Sequence, residues 1–294
     1  MPMPQAGTRV EFTNLEKVLF EELGITKAKV LEYYVRKAPQ ILPILKERPL
    51  SLKRYPDGVG KAGFYEKNAP LGTPPWVKTF RVHSDSVERD VNYIVCNGLD
   101  TLLWLANLAT IEMHMPLSTA DQYGKPDLML FDIDPEPPAG IAEAVGTALL
   151  LKDKLGDEGL RGYPKTSGKK GVHVVVPIVR GPTFKEVREF VRDVGKGLAR
   201  EAGFVRSEFS QTKEPGTVFV DYLQNAKGKT MVAPYSLRGT LSATVSMPLE
   251  WEDLRKGISP GDFTLLSVLK GAGRDPWADL LEDRQRLETG RHGE

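Results

Sequence analysis

Cysteine is almost missing from this sequence of 294 residues. Cys96 stands alone, which excludes an internal disulfide and any cysteine-rich zinc site and fits a reducing compartment. Within Asn92-Tyr93-Ile94-Val95-Cys96 it reads as a small core residue. The sequence also lacks a charged-then-apolar leader and any apolar run near the ~18 residues that cross a bilayer, so a soluble cytoplasmic protein with no membrane partner is expected. Excess charge of either sign is missing too: Lys+Arg 40 against Asp+Glu 39 leaves +1, and a nucleic-acid partner would have to be held by a local basic patch. Repeats and low-complexity linkers are absent. What is present is globular in character. Hydrophobic residues make up 40% and charged residues 27%, and 22 prolines with 28 glycines read as many turns. The length suits one large domain or two smaller ones.

Residues 1–13 read as a polar arm ending in a short strand around residues 10–12. Thr26 is an N-cap for a helix carrying Val30, Tyr33, Tyr34 and Ala38, which breaks at Pro39 and resumes over residues 41–45. A strand is expected over residues 49–54. The Gly- and Pro-rich stretch 55–75 must be loop or hairpin, yet it presents Phe64-Tyr65-Glu66-Lys67-Asn68. Helices are expected at about 86–95 and 100–109, and Ile111-Glu112-Met113-His114-Met115 alternates like a strand. The polar tail beyond Leu280 is expected to fray.

The stretch Leu128-Met129-Leu130-Phe131-Asp132-Ile133-Asp134-Pro135 is apolar until its end, entered through Pro126 and stopped by Pro135, as in a strand buried on both faces. Side chains alternate along a strand, so Asp132 and Asp134 share a face at its exit. Such a pair raises its own pKa values unless a cation sits between the charges. A solvated Asp-Pro turn is the plain alternative. The order that follows is strand to 134, helix 141–155, strand 160–165, strand 172–178, helix 183–200 and strand 218–223, that is β-α-β-β-α-β. The second helix is the best specified. Thr183 and Glu186 form a capping box, Val187, Phe190, Val191, Val194 and Leu198 form its apolar stripe, and Gly203 ends it. In a ferredoxin-like arrangement the last strand pairs with the first, which brings Asp221 beside Asp132 and Asp134. Three carboxylates on adjacent strands suit Mg²⁺ or Mn²⁺, and a pair of such ions serves phosphoryl displacement. Asp221 as a simple edge-strand acid is the competing description.

Between two of these strands lies Lys165-Thr166-Ser167-Gly168-Lys169-Lys170-Gly171-Val172-His173. Its glycines allow close backbone approach, and Ser167, Lys169, Lys170 and His173 offer the donors a triphosphate needs. The spacing is not that of a Walker A loop, and a solvated turn is the ordinary fate of such a hairpin. Arg238, in Ala233-Pro234-Tyr235-Ser236-Leu237-Arg238, can neutralise a phosphate, and His114 can contact a sugar or phosphate. A surface ion pair and a core histidine are the respective alternatives. Phe64 and Tyr65, in a Gly-rich loop, are candidate stacking platforms for bases. Lys17 and Lys27 flank a short turn and can cradle a terminal phosphate, or be merely solvated.

Taken together, Phe131-Asp132-Ile133-Asp134-Pro135, Ser167-Gly168 through His173, and Asp221 with Ala233 through Arg238 resemble the polymerase domain of bacterial ligase D, the end-joining branch of the archaeo-eukaryotic primase superfamily. The resemblance runs from Asn14-Leu15-Glu16-Lys17 to Pro248-Leu249-Glu250-Trp251. It implies an α+β, primase-like fold with a ferredoxin/RRM-like palm at about 126–250, an N-terminal α/β subdomain at about 1–125 packed on it, and a helical tail at about 251–294, all one catalytic domain. It implies a template-directed nucleotidyltransferase filling short gaps at double-strand breaks in non-homologous end joining, with a taste for ribonucleotides and Mn²⁺ over a two-metal site. Asp132, Asp134 and Asp221 would be the catalytic metal ligands. His114, Ser167, Lys170, His173 and Arg238 would bind the nucleotide, Lys17 and Lys27 the DNA 5′-phosphate, and Phe64 and Tyr65 the template. Expected partners are gapped or 3′-overhanging DNA, NTP or dNTP, Ku, and separate ligase and nuclease proteins, in a nucleoid-associated setting. The chain has Ala226-Lys227 where the family usually shows two arginines, one cation fewer.

Three other readings compete. A primase starting chains de novo commonly carries zinc ligands that one cysteine cannot supply. A haloacid-dehalogenase-type phosphatase also ends a strand in Asp-x-Asp, but Pro135-Glu136 is a poor continuation for that family. A non-catalytic DNA-end-binding module would keep its affinity without the three aspartates.

Overall fold

Two multi-stranded sheets organise the chain, one in each of two units, and a computed structural model describes residues 7–84, 88–271 and 274–288. Among the described residues, the first unit takes those up to Pro116, Thr230–Ser246 and 263–271; the second takes Leu117–Lys229, Met247–Asp262 and 274–288. In the first, β1 (Val18–Phe20) pairs with β2 (Ile25–Thr26) and leads into α1 (Lys27–Leu45). Thr26 caps α1 as expected, its hydroxyl accepting the Lys29 N–H at 3.4 Å. The expected break at Pro39 does not occur: α1 runs through both Pro39 and Pro43. Each proline removes one helical hydrogen bond, but Ala38, Ile41, Ile44 and Leu45 stay buried on one continuous face, and that packing outweighs the loss.

Next come β3 (Pro49–Arg54), β4 (Phe64–Glu66), β5 (Thr79–Ser84), β6 (Arg89–Val95), α2 (Leu99–Asn107) and β7 (Thr110–Pro116). The helix expected over 86–95 is instead the strand β6, in an antiparallel hairpin with β5; residues 86 and 87 lie outside the described residues. Val91, Tyr93, Ile94 and Val95 are β-branched or aromatic, and a strand buries all of them between neighbours. Residues 10–12 form no strand, although Val10 is buried; residues 1–6 of that expected arm lie outside the described residues. Cys96 is a core residue, and burial pushes its thiol up to about 12.

The second unit is β8 (Leu128–Pro135), α3 (Ile141–Asp157), β9 (Tyr163–Thr166), β10 (Val172–Pro177), α4 (Phe184–Glu201), β11 (Val205–Arg206) and β12 (Val218–Asp221). Its sheet order is β11-β12-β8-β10-β9, so the last strand of the β-α-β-β-α-β set lies beside the first, with β11 added at the edge. The Thr183–Glu186 capping box forms at both of its bonds, and the buried stripe of α4 is the expected one. Beyond β12 the chain returns to the first unit as β13 (Thr230–Val232), giving the order β13-β7-β3-β6-β5 with β4 also on β3. The short helices α5 (Trp251–Lys256) and α6 (Leu265–Lys270) belong to the second and first units respectively.

The tail departs from expectation. Gln285 accepts the Val179 N–H at 2.8 Å and donates to the Pro177 carbonyl at 3.0 Å, while Trp277 is buried and its indole N–H reaches the Pro164 carbonyl at 2.9 Å. Satisfied backbone and a buried ring hold this segment down; residues 289–294 lie outside the described residues. No helix among the described residues is long and apolar enough to cross a membrane.

Candidate active site

The register of the second unit's sheet lines up three of the expected residues. Asp132 on β8 faces His173 on β10 on one side and Asp221 on β12 on the other, and Asp134 follows two residues along the same face. His173 Nε2 lies 3.2 Å from Asp132 Oδ1. Asp221 ends its strand by accepting the Leu223 N–H at 2.8 Å and the Gln224 amide at 3.1 Å. Burial first, and then the charge of Asp132, pushes Asp134 up to about 6, against the pull of Lys170 and Lys213. Burial raises Asp221 as well, opposed by its Leu223 bond and reinforced by Asp132.

Among the described residues no group of three or more His, Cys, Asp or Glu side chains is drawn together tightly enough to grip an ion as it stands. The donor set nonetheless fits a hard divalent cation. It is oxygen-rich, shares one face, and carries a mutual repulsion that such an ion would relieve.

The 167–171 turn is more self-contained than its sequence implies. Ser167 N–H donates to the Gly171 carbonyl at 2.9 Å, and Ser167 Oγ accepts the amides of Lys169 and Gly171 at 3.3 and 3.1 Å. That leaves the hydroxyl proton of Ser167 to donate. Gly168 sits at φ +73°, where other side chains are strained. A Cβ on Gly171 would fall 2.5 Å from the Ile133 carbonyl oxygen, so only glycine lets this turn approach β8. Lys170 turns back to the Pro135 carbonyl at 2.7 Å and Glu136 at 3.2 Å, placing its ammonium at the exit of the acidic strand.

The other expected residues belong to the first unit. His114 and Arg238 both meet Glu112: His114 Nε2 at 3.0 Å and Arg238 Nη1 at 3.4 Å from Oε2. Arg238 Nε is buried and makes no hydrogen bond among the described residues, a donor of the kind an anionic ligand would fill. Lys17 and Lys27 are brought together by the β1–β2 turn, where the Lys27 amide donates to the Lys17 carbonyl at 2.8 Å. Lys27 is buried, and its ammonium donates to the Thr13 carbonyl at 2.9 Å; burial, then the Lys17 charge, lowers its pKa. Lys17 is the accessible partner, 3.6 Å from Asp57.

Phe64 and Tyr65 are both exposed, but as consecutive residues of β4 they point to opposite sides, so they do not form one side-by-side platform. Arg54 lies over the Phe64 ring, while Tyr65 packs edge-on against His114 at 5.6 Å and takes Lys53 over its ring at 5.3 Å.

Three further residues shape the two groups of side chains. Glu112 has a signal in the sequence, since it alternates with His114 and must share its face. Asn225 has none: it is fully buried, and its amide bonds both the N–H and the carbonyl of Leu130, at 2.9 and 2.7 Å, acting as one more rung beside β8. Glu136, which gathers Lys170 and Lys213, is visible only in three dimensions.

Known proteins resemble this chain over most of its length. A family model described as the LigD primase-polymerase domain matches residues 26–277. The bifunctional non-homologous end joining protein LigD of Bacillus subtilis is 33% identical over 263 residues, covering 89% of this chain and 42% of that protein. The Pseudomonas aeruginosa multifunctional non-homologous end joining protein LigD is 32% identical over 97% of this chain and 34% of its own length. The chain thus spans well under half of these relatives. A solved structure, the polymerase domain of Mycobacterium tuberculosis ligase D in complex with DNA, superposes with a TM-score of 0.86 at 30% identity, covering 95% of this chain and all of that one. With the family model, the relatives and the mixed α+β fold in agreement, the chain belongs to the LigD primase-polymerase domain family.

Proposed function

We propose that this protein is a template-directed nucleotidyltransferase that fills short gaps at DNA double-strand breaks during non-homologous end joining, acting as one catalytic domain. The observation that carries the reading is the alignment of Asp221, Asp132 and His173 on one face of three adjacent strands, with Asp134 beside them. In the reaction, the primer 3′-hydroxyl attacks the α-phosphate of a nucleoside triphosphate and pyrophosphate leaves.

Asp132, Asp134 and Asp221 would hold Mn²⁺ or Mg²⁺. Such ions, when bound, supply activation of the hydroxyl and neutralise charge on the departing pyrophosphate. The chain's own groups bind and orient. His173 would bind the nucleotide beside Asp132, whose carboxylate it meets at 3.2 Å. Lys170 places positive charge at the strand exit, the Ser167 hydroxyl donates, and His114 and Arg238 take the nucleotide's anionic groups. Lys17 and Lys27 take the 5′-phosphate across the gap, and Tyr65 and Phe64 stack on the template, each on its own face of β4. The M. tuberculosis neighbour was solved with DNA, and the relatives' names place them in end joining, which supports DNA as substrate; Ku and separate ligase and nuclease proteins are proposed as partners. A preference for ribonucleotides is part of the proposal.

The test is extension of labelled gapped DNA carrying a 5′-phosphate, with Mn²⁺ and either ribo- or deoxyribonucleotides, comparing the wild type with Asp132→Ala. Ribonucleotide incorporation by the wild type alone is expected. Extension by both proteins, or by neither, refutes the assignment.

A further inference from the structure

Glu112 has no part in the chemistry above, yet it is a buried anion held by five groups of the first unit. It lies on β7 with 0% exposure, a position where a carboxylate is costly unless every oxygen is met. Its two oxygens are met by different kinds of group. Oε1 is tied to the scaffold, accepting the Gly239 N–H at 3.1 Å and the Tyr55 hydroxyl at 3.4 Å, with Lys53 Nζ at 3.9 Å. Oε2 is turned to His114 Nε2 at 3.0 Å and Arg238 Nη1 at 3.4 Å.

The backbone around this pair is equally fixed. The Ala233 N–H reaches the Met113 carbonyl at 2.8 Å, the Ser236 hydroxyl accepts the Met113 N–H at 2.9 Å, and the Arg238 N–H reaches the Thr244 carbonyl at 2.8 Å. Burial alone would raise the pKa of Glu112, but His114, Arg238 and the Gly239 amide outweigh it and hold the group down to about 2, so it stays ionised in any ordinary buffer.

We infer that Glu112 is a positioning residue for the incoming nucleotide: anchored through Oε1, it uses Oε2 to set the His114 ring and the Arg238 guanidinium in the orientation that receives a nucleoside triphosphate. The inference rests on the reading of His114 and Arg238 as nucleotide-binding groups. The unfilled Nε of Arg238 is the donor this arrangement leaves for the ligand. A shared anion between two donors also keeps them from drifting apart or pairing elsewhere when no nucleotide is present.

Glu112→Gln keeps the side chain's shape and an acceptor for the Gly239 amide while removing the charge. With gapped DNA saturating, it should raise KM for the ribonucleoside triphosphate about tenfold while kcat at saturating nucleotide stays within about threefold and the KM for DNA is unchanged. Combined with Arg238→Ala its effect on KM should be well below additive, because part of it acts through that guanidinium and only the part acting through His114 remains. A purely structural carboxylate would instead lower the melting temperature and kcat, and its effect would add to that of Arg238→Ala. If Glu112→Gln does not fold, Glu112→Asp carries the test: it keeps the charge but retracts it, and a KM raised severalfold with kcat kept is expected.

Wild-type KM in the folded variant, additivity in the double variant, or loss of the fold in both variants overturns the inference. If His114→Ala and Arg238→Ala themselves leave the nucleotide KM untouched, it is the nucleotide-binding reading that fails.

Discussion

Asp134→Asn should make the metal-free protein more stable while ending catalysis. Asp134 lies mostly buried beside Asp132, and its carboxyl moves from the ordinary 3.8 to about 6 on folding. A group with a raised folded-state pKa favours the protonated fold, so its carboxylate costs nothing below pH ~4 and a growing amount as pH climbs toward 6, after which the cost levels off. Fully expressed, that difference corresponds to ~3 kcal/mol; residual solvent access and the nearby lysines trim it to about 1–3 kcal/mol.

Asparagine has almost the same shape and no charge. In EDTA at pH 7.5 it should therefore raise the melting temperature by about 3–9 °C for a chain of this size, and the gain should shrink toward zero at pH 4. Added Mn²⁺ should stabilise the wild type and leave the variant nearly unmoved, since one of three acidic donors is gone. Thermal melts from pH 4 to 8, with and without the ion, read all of this from one pair of proteins. A variant less stable than the wild type at pH 7.5 in EDTA, or a difference that ignores pH, would show that the carboxylates do not repel one another as the strand register requires.

Other perturbations reach different parts of the site. Asn225→Ala strips the Leu130 N–H and carbonyl of their buried partner and should cost about 2–4 kcal/mol in urea unfolding; an unchanged midpoint would mean the amide is replaceable by water. Gly171→Ala drives a methyl against the Ile133 carbonyl at 2.5 Å and should destabilise by about 1–3 kcal/mol with a large loss of incorporation, and normal activity would show the turn has room to shift. Lys27→Ala should weaken the preference of the protein for gapped DNA bearing a 5′-phosphate over its dephosphorylated form, measured by competition binding. A variant that discriminates as well as the wild type would remove Lys27 from that role.

What the sequence determined by itself was whatever depends on short-range pattern. The capping box of α4 and its apolar stripe specify that helix without help from the rest of the chain. The apolar run ending in Asp132 and Asp134 specifies a buried strand with both acids on one face. Once six elements were legible in order, pairing of the last strand with the first followed from topology, and Asp221 came with it.

Sequence and structure differ where local signal and tertiary packing disagree. Pro39 and Pro43 are breakers by local rule, yet the buried face of α1 overrides them. Residues 89–95 carry too little alternation to declare themselves a strand until β5 and β3 pair with them. Only the tertiary structure decided how the charges are used. Lys170 is tied to Glu136, Phe64 and Tyr65 are sent to opposite faces, Asn225 is spent on β8, and Glu112 is fixed between a scaffold and two donors. Each of these depends on distances between residues far apart in the chain, and a pattern of residue types fixes which face a side chain occupies but not which partner it finds there.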